Sequence, residues 1–231
     1  MNNDVFIATT NFQKTQTLVS DLLGPATGVD IAAIVGPAGR GKSFITERIY
    51  TNNINTLYVL YQEKWSHIEL IREITFRLSG TRPRLRQTCF DIIQDEIRER
   101  RRLIMVDDGD RANSACLNVL RNIHDILKVP ILVIGEPFLE RKILREKRLR
   151  SRTREMLFYS PVSPADVNVF FRKTLGATLT PSQTEKLSKY CEGDFRPLLT
   201  ASIRAERFMA ASGISAMTDR VVDAICKDGR K

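Results

Sequence analysis

Eight consecutive residues, 36–43, carry the clearest chemistry in this sequence. They read Gly-Pro-Ala-Gly-Arg-Gly-Lys-Ser and match G-x-x-x-x-G-K-[ST] at every fixed position. The apolar run Ile31–Val35 comes before them and predicts a buried strand, and residues 44–50 predict a helix. This order suits phosphate binding, because glycines let backbone N–H groups close around phosphate oxygens and the helix adds the positive end of its dipole.

Within this P-loop, side chains are expected to contact both the phosphates of ATP and Mg²⁺. Lys42 would reach the β- and γ-phosphates and assist catalysis, and the Ser43 hydroxyl would bind the metal. The full pattern between a strand and a helix argues against a glycine-rich turn that binds nothing. The residues predicted to bind the nucleotide here are Gly36, Pro37, Ala38, Gly39, Arg40, Gly41, Lys42, Ser43 and Phe44.

Two further strand ends carry acidic residues. Four apolar residues, 103–106, run into Asp107 and Asp108, which is typical of a Walker B strand after a P-loop. Asp107 is expected to hold the Mg²⁺ shell, and Asp108 to orient the attacking water. Residues 130–135 predict another buried strand, and Glu136 at its end is placed to sense the γ-phosphate.

The order of the predicted elements indicates an α/β fold. Strands at 31–35, 56–61, 103–108 and 130–135 alternate with helices, which favours an open, mainly parallel sheet flanked by helices. A last strand is predicted at 156–159. From Ser163 onward the pattern is helical only, so we predict a small C-terminal helical lid. The predicted organisation is a lead-in segment (1–30), an α/β ATPase core (31–160) and a helical lid subdomain (161–231).

Composition limits the partners. The formal net charge of +9 favours a polyanion such as nucleic acid or an anionic surface, although a basic protein without such a partner stays possible. The four cysteines are far apart in the chain, which indicates neither a zinc site nor a disulfide framework. This cysteine usage suits a reducing cytoplasm, and we expect a cytoplasmic location in a bacterial host cell. No signal peptide or membrane-spanning run is evident, so we expect no membrane partner.

A basic run precedes the Walker B strand. Arg98, Arg100, Arg101 and Arg102 supply four arginines in five positions. They could contact nucleic-acid phosphates. They could equally form a solvated helix end, where cations suit the negative end of the helix dipole. Both interpretations remain open at the level of the sequence.

Together these features resemble the AAA+ ATPases. Within that class the chain is similar to the target-selection ATPases typified by the transposition protein B of phage Mu and its TnsC-type transposon relatives. The similarity rests on four stretches and covers nearly the whole chain. They are residues 6–11 ahead of the core, 148–152 before the last strand, 163–167 after it, and the Gly-Asp-Phe-Arg motif at 193–196.

The resemblance implies that subunits assemble on double-stranded DNA as ATP-bound filaments or rings. Such a protein selects the transposition target and activates a transposase, and ATP hydrolysis releases the DNA. By position, Arg152 or Arg148 would be the arginine finger that enters the neighbouring subunit's site, and Arg196 would be the sensor-2 residue that binds nucleotide. Longer members carry an N-terminal helix-turn-helix domain, which we expect to be absent here.

The resemblance also places loops after the second strand and after Walker B against DNA. Lys64 and Arg111 are the predicted phosphate contacts in these loops, and Arg98 and Arg100 to Arg102 would lie behind them. Contacts of this kind position a protein without reading bases. Binding should therefore be independent of sequence and strongly dependent on salt.

Two departures from the AAA+ pattern predict slow hydrolysis that DNA or transposase would stimulate. Asp108 replaces the usual glutamate and is one methylene shorter, and Glu136 stands where asparagine is usual. An AAA+ helicase loader or protein remodeller would share every nucleotide motif and is the alternative function. An ATP-controlled assembly switch with almost no hydrolysis also stays open. A small-molecule kinase fits the helical lid poorly, and a GTPase would need an Asn-Lys-x-Asp motif that this sequence lacks.

Overall fold

A parallel five-stranded sheet occupies the larger of two units in the computed structural model, which describes residues 5–214 and 216–228. The strands are β1 (Ile31–Val35), β2 (Thr56–Leu60), β3 (Leu103–Asp107), β4 (Ile131–Gly135) and β5 (Thr153–Phe158). Their order across the sheet is β2-β3-β4-β1-β5, and every pair is parallel. All five carboxyl ends therefore lie along one edge of the sheet. The predicted α/β fold with a parallel sheet is confirmed.

Helices connect the strands and make up the end of the chain. They are α1 (Thr10–Leu23), α2 (Lys42–Asn52), α3 (His67–Ser79), α4 (Arg86–Glu99), α5 (Ser114–Leu127), α6 (Phe138–Arg145), α7 (Lys147–Arg150), α8 (Pro164–Leu175), α9 (Pro181–Cys191), α10 (Phe195–Ser212) and α11 (Asp219–Asp228). Local sequence explains several starts. Ser66 caps α3 in a capping box with Glu69, and Ser163 and Thr180 do the same for α8 and α9.

Contacts divide the chain into two compact units. The sheet unit comprises Phe12–Pro37 and Gly41–Tyr159. The helical unit comprises Met1–Asn11, Ala38–Arg40 and Ser160–Lys231. The sequence-based boundaries at 30/31 and 160/161 differ from this grouping in three ways. Ser160 falls in the helical unit and not in the core. The lead-in is shared between the two units, and three residues of the P-loop group with the helical unit.

Both faces of the sheet are buried, as expected for parallel strands. Alternate residues of β1 point to opposite faces: Ala33 and Val35 pack in one cluster with α3, α4 and α5, whereas Ala32 and Ile34 pack in another with α1 and α2. The helical unit has its own core between α8, α9, α10 and α11, in which Phe171 is fully buried. Within the described residues no helix is long and apolar enough to cross a membrane.

The last strand differs from its predicted extent. β5 begins at Thr153, whereas the sequence pattern predicted a start at residue 156. Arg154 and Glu155 are exposed because β5 pairs only with β1 and is an outermost strand of the sheet. Exposed charges interrupt the apolar pattern on which the prediction depended.

Candidate nucleotide-binding site

The P-loop leaves the central part of the sheet and returns as α2. The Gly36 N–H donates to the Gly135 carbonyl at 3.2 Å, so the loop begins beside the end of β4. Gly36 is tightly enclosed, since a Cβ there would lie 2.9 Å from Tyr159 Cβ. Gly39 and Gly41 have φ values of 74° and 84°, which glycine adopts without strain. These constraints explain why glycines stand at these loop positions.

Lys42 is buried at the start of α2. Its ammonium group donates to the backbone carbonyls of Gly36 at 2.7 Å and Pro37 at 2.9 Å. Gly41, the N-cap residue of α2, has no side chain to accept from the first-turn N–H groups. A positive side chain and an uncapped helix start thus face the same loop. This donor set fits the phosphates of a nucleotide.

Acidic side chains surround the Lys42 ammonium from two neighbouring strand ends. Burial lowers the pKa of Lys42, and the negative charges of the surrounding carboxylates oppose that shift without cancelling it. The acids concerned, in decreasing order of effect, are Glu136, Asp107, Asp110 and Asp108. The carboxyl edge of the sheet therefore places the predicted catalytic and sensor acids around the P-loop lysine.

Asp107 is held from two sides at the end of β3. The side chain is 1% exposed. The Tyr58 hydroxyl donates to Asp107 Oδ2 at 2.7 Å, and the Asp108 N–H donates to Asp107 Oδ1 at 2.8 Å. Tyr58 pairs with Met105 in the parallel register, so it shares a face with Asp107. Burial and the bond to Asp107 raise the pKa of Tyr58, which keeps its hydroxyl a donor.

Asp108 has a different environment from Asp107. Its φ of 54° lies in the left-handed region, and its carboxylate is 3.7 Å from the Arg111 guanidinium. Burial and the charge of Asp107 raise the pKa of Asp108, although Arg111 partly counteracts them. The second acid of the Walker B pair is thus half-exposed, close to a basic side chain, and carried by an uncommon backbone conformation.

Asp110 connects the loop after β3 with the end of β4. Its Oδ1 accepts the Glu136 N–H at 3.0 Å, and a Cβ on Gly135 would lie only 2.6 Å from that oxygen. Lys142 donates to the carbonyls of Asp110 at 2.6 Å and Ala112 at 2.7 Å. Sequence reasoning missed both Asp110 and Tyr58. The Asp-Asp-Gly-Asp run was the signal that could have found Asp110.

The metal site would need more than protein side chains. Among the described residues, no three His, Cys, Asp or Glu side chains are grouped so that they could hold a metal ion. Mg²⁺ is commonly bound through one or two protein ligands, substrate phosphates and water. The hydroxyl of exposed Ser43 in the first turn of α2, and the Asp107 carboxylate, fit such a partial set.

The helical unit fixes the tip of the P-loop. The Phe195 N–H donates to the Gly39 carbonyl at 2.9 Å, and a Cβ on Gly39 would overlap the Asp194 carboxylate. The Arg40 guanidinium donates to the Glu192 carbonyl at 3.0 Å. The Gly-Asp-Phe-Arg motif therefore packs directly on Ala38–Arg40. This contact was not expected from the sequence.

The arginines predicted to bind nucleotide or to enter a neighbouring subunit differ in their exposure and in their partners. Arg196 lies in the first turn of α10 with an exposed side chain, and its N–H donates to Asp194 Oδ1 at 2.7 Å. Arg152 donates through Nε to Asp125 Oδ1 at 2.8 Å. Arg148 is exposed on α7, and no salt bridge of its side chain is found within the described part of the chain.

The predicted DNA contacts fall into two separate groups. Lys64 follows β2 and Arg111 follows β3, so both lie at the carboxyl edge of the sheet, and both are exposed. The four arginines of the basic run precede β3 and lie at its amino end. The length of a five-residue strand, about 16 Å, separates the two ends. The structure therefore does not bring Arg98, Arg100, Arg101 and Arg102 together with Lys64 and Arg111.

Two arginines of the basic run have local ion-pair partners. Arg101 is 3.7 Å from the buried Asp30 carboxylate and donates to the Leu22 carbonyl at 3.4 Å. Arg98 lies 3.9 Å from Asp95 on the same helix. Arg100 is exposed and Arg102 half-buried. The sequence left open a phosphate-contacting patch and a solvated helix end. Half-buried Arg101 differs from both, because its contacts with Asp30 and Leu22 give it a local structural role.

Comparisons with known proteins identify the fold. Solved structures of similar fold include Aeropyrum pernix ORC2 in its ADPNP–ADP complexes (12% identity, TM-score 0.66, 99% of this chain and 69% of that chain). Cdc6p from Pyrobaculum aerophilum has 14% identity and a TM-score of 0.71, over 98% of this chain and 68% of that one. The Thermotoga maritima RuvB Holliday junction branch migration motor has 14% identity and a TM-score of 0.66, over 96% of this chain and 70% of that one.

At the level of sequence, no curated protein matches the chain. A family model described as an AAA domain matches residues 27–143, just over half of the 231 residues. The matched region runs from the turn before β1 into α6 and includes the P-loop, Asp107 and Glu136. The chain therefore belongs to the AAA domain family of P-loop ATPases.

Proposed function

We propose that this protein is an ATP-dependent, sequence-non-specific DNA-binding ATPase that oligomerises on duplex DNA. It selects the transposition target and activates a transposase, and slow hydrolysis controls its release. One observation carries the DNA-binding part: Lys64 and Arg111 are exposed at the sheet edge that bears the P-loop and Walker B acids. The net charge of +9 supports it. RuvB, described as a Holliday junction branch migration motor, supports it through a similar fold.

The Arg111–Asp108 pair gives this proposal a coupling mechanism. Arg111 lies 3.7 Å from Asp108, the acid proposed to orient the attacking water. A DNA phosphate that attracts Arg111 would weaken this pair and release Asp108 toward water. ATP hydrolysis would then be slow in the free protein and faster on DNA. The shorter Asp108 side chain, its left-handed backbone and the nearby Glu136 all support a low basal rate.

Within the nucleotide site, this chain's residues would bind phosphate and hold a water molecule in place. Lys42 and the P-loop amides bind the phosphates, and Ser43 with Asp107 completes the Mg²⁺ shell. When bound, Mg²⁺ supplies charge neutralisation at the transferred phosphoryl group. Tyr58 fixes the orientation of the Asp107 carboxylate. Arg196 is proposed to contact nucleotide as sensor 2.

Oligomerisation would complete the site with an arginine from a neighbouring subunit. Arg148 is the better candidate for this finger, because Arg152 already pairs with Asp125 at 2.8 Å in its own chain. The exposed position of Arg148 on α7 leaves its guanidinium accessible to another subunit. We therefore propose Arg148 as the finger and Arg152 as the residue that supports its segment.

The transposition role rests on the similarity of short stretches. The structure gives one of them a packing function. Asn11 in the lead-in donates to the Ser160 carbonyl at 2.9 Å and accepts the Ser160 N–H at 3.0 Å. Lys173 donates to the Phe6 carbonyl at 2.9 Å. Residues 6–11 are thus part of the helical unit.

The decisive test is binding to random-sequence duplex DNA with ATP, with ADP and without nucleotide. Tight binding with ATP alone, lost in Lys42→Ala, is expected, with oligomers on the DNA visible by electron microscopy. Reversing Lys64 and Arg111 together to glutamate should abolish DNA binding and leave ATP binding intact. Reversing exposed Arg207 and Arg220 matches the charge change as a control. Binding without nucleotide, or no DNA binding, would instead favour the helicase loader or remodeller.

Hydrolysis separates a working ATPase from an assembly switch. Turnover is expected to stay below about 1 s⁻¹ without DNA, the low end of ordinary enzymes. Duplex DNA should increase it, and the proposed transposase partner should increase it further. Turnover that exceeds this limit in the free protein would contradict slow hydrolysis. A transposase that neither binds nor stimulates the protein would contradict the transposition role.

A further inference from the structure

A cavity of about 290 Å³ lies beside the start of α3, away from the P-loop residues. Trp65, Glu69, Arg72, Arg82 and Arg84 line it. Trp65 comes from the loop after β2, and two of the arginines come from the connector between α3 and α4. The cavity thus joins an aromatic ring to three guanidinium groups within one unit. Neither the P-loop chemistry nor the proposed contacts of Lys64 and Arg111 with duplex DNA use this cavity.

The charge of this cavity is only partly compensated. Arg72 donates to the backbone carbonyls of Pro83 at 3.0 Å and Arg84 at 2.5 Å. Its charge also contributes to lowering the pKa of Glu69, the one carboxylate that lines the cavity. Arg82 pairs with Glu73 at 2.6 Å. Arg84 is exposed, and within the described residues its guanidinium has no ion pair or hydrogen bond. The cavity therefore presents an available cation to an anion.

The tryptophan is held rigidly in its place. The Trp65 carbonyl accepts from the Tyr61 hydroxyl at 2.9 Å, from Asn113 Nδ2 at 3.5 Å and from Cys116 Sγ at 3.4 Å. Its ring packs edge-on with Tyr61, with centroids 5.7 Å apart. The side chain stays only half-buried, so part of the ring lines the cavity. Such a preorganised ring loses little entropy when a flat ligand packs on it.

We propose that this cavity binds one nucleotide unit of an unpaired nucleic-acid strand. The base packs against Trp65, and the adjacent phosphate binds Arg84, with Arg72 and Arg82 adding positive charge. A duplex keeps its bases stacked inside, so no base of a duplex can pack on the ring. An aromatic side chain beside an accessible arginine in a basic groove is the combination that single strands use. The inference rests on the proposed function in one respect, namely that the protein binds DNA.

Trp65 makes this proposal directly measurable, because it is the only tryptophan in the chain. Its fluorescence would be followed during titration with single-stranded oligo(dT), with a blunt duplex of equal length, and with an abasic single strand. Oligo(dT) is expected to quench Trp65, whereas the duplex and the abasic strand are not. Thymidine monophosphate should not quench at equal nucleotide concentration, since it lacks the neighbouring strand contacts.

Variants test the two halves of the cavity. Trp65→Ala should weaken oligo(dT) binding about tenfold, measured by anisotropy of a labelled strand. Arg84→Gln should lower the salt dependence of single-strand binding by about 0.7 in the log–log slope. Arg207→Gln on α10 serves as the charge-matched control, and Trp65→Phe should retain much of the affinity. Duplex binding by Arg84→Gln with ATP should remain close to the unmodified protein.

Several results would overturn the inference. Equal quenching by the abasic strand or by the duplex would show that no base packs on Trp65. Equal quenching by thymidine monophosphate would identify a mononucleotide site instead. Single-strand binding that is unaffected by both Trp65→Ala and Arg84→Gln would place the strand elsewhere. If duplex binding persists in these cases, the proposed function stands and only the cavity assignment fails. Loss of ATP-dependent duplex binding alone would contradict only the proposed function.

Discussion

Charged residues lie at both ends of the parallel strands, at the amino edge and at the carboxyl edge of the sheet. The two sets differ in whether neighbouring groups of the protein already satisfy their charges. At the amino edge, the buried Asp30 carboxylate accepts from the Thr27 N–H at 2.9 Å and the Thr27 hydroxyl at 2.5 Å, and Arg101 lies 3.7 Å away. At the carboxyl edge, Lys42 donates to two backbone carbonyls and, within the described residues, forms no salt bridge with the four acids whose charges act on it. Charges at the amino edge satisfy one another, whereas those at the carboxyl edge remain able to bind a ligand.

This difference teaches how to separate structural from functional charges in this fold. Arg101 and Arg111 cannot be told apart by residue type. Arg101 is half-buried against an acid that other groups also hold, and Arg111 is exposed beside an acid that is itself half-exposed. Removing a buried charge at the amino edge should therefore reduce stability, and removing an accessible one at the carboxyl edge should reduce binding or turnover.

The largest effect is expected for Asp30→Ala. Loss of this carboxylate leaves Arg101 and the Thr27 and Gly28 N–H groups without their acceptor, so unfolding free energy should fall by about 3–5 kcal/mol. Urea denaturation would measure it. Asp95→Ala, which removes an exposed partner of Arg98 at 3.9 Å, is the control and should change little. Unchanged stability in Asp30→Ala would contradict a stabilising role for the charges at the amino edge.

The same carboxylate should make stability depend on pH. Burial raises the pKa of Asp30, but hydrogen bonds from Thr27 and Gly28 and the charge of Arg101 outweigh it, so the pKa is lowered. A lowered folded-state pKa stabilises the protein above the ordinary carboxyl value of 3.8 and loses that contribution as the pH falls toward the lowered value. Asp30→Asn should show less of this loss in acid denaturation.

Lys42→Ala should have the next largest effect, and on binding. Charge-assisted contacts of this ammonium are worth about 2–3 kcal/mol, so ATP affinity should fall roughly 30- to 150-fold. Calorimetric titration measures it, and exposed Lys14→Ala on α1 is the control. ATP affinity equal to that of the unmodified protein would remove Lys42 from the site.

Tyr58→Phe tests whether Tyr58 orients the Asp107 carboxylate for Mg²⁺ binding. Loss of the 2.7 Å bond frees the carboxylate to rotate, and turnover should fall about tenfold for a cost near 1.4 kcal/mol. The Mg²⁺ concentration needed for half-maximal ATP binding should rise, whereas metal-free ATP binding should stay constant. Tyr159→Phe loses a buried bond to Thr15 at 2.7 Å and should alter stability only. Equal Mg²⁺ dependence in both variants would assign Tyr58 a packing role.

The smallest expected effect is on the salt dependence of DNA binding, and it distinguishes Arg111 from Arg101. Arg111→Gln should reduce the slope of log affinity for duplex DNA against log salt by about one. Arg101→Gln should leave that slope unchanged and reduce stability instead. If Arg101→Gln alters the slope and Arg111→Gln does not, the assignment of the two edges is reversed.

Much of the nucleotide site could be predicted because its signals are local. The P-loop lies in eight consecutive residues, and Asp107 and Glu136 directly end apolar strands. Helix starts at Ser66, Ser163 and Thr180 follow from contacts within one turn. Tyr58 escaped notice because it lies 49 residues from Asp107, and only strand pairing joins them.

The sequence by itself determined the order of strand, phosphate loop and helix, and the acids that end the strands. Each depends on neighbours in the chain, whose periodicity and turn chemistry are readable. Only the tertiary structure decided which charges share an edge of the sheet, that Asp110 binds Glu136, and that Asp194 packs on Gly39. Parallel strands place distant carboxyl ends side by side, so pairing and register, which no local pattern encodes, settle which basic residues face the nucleotide edge.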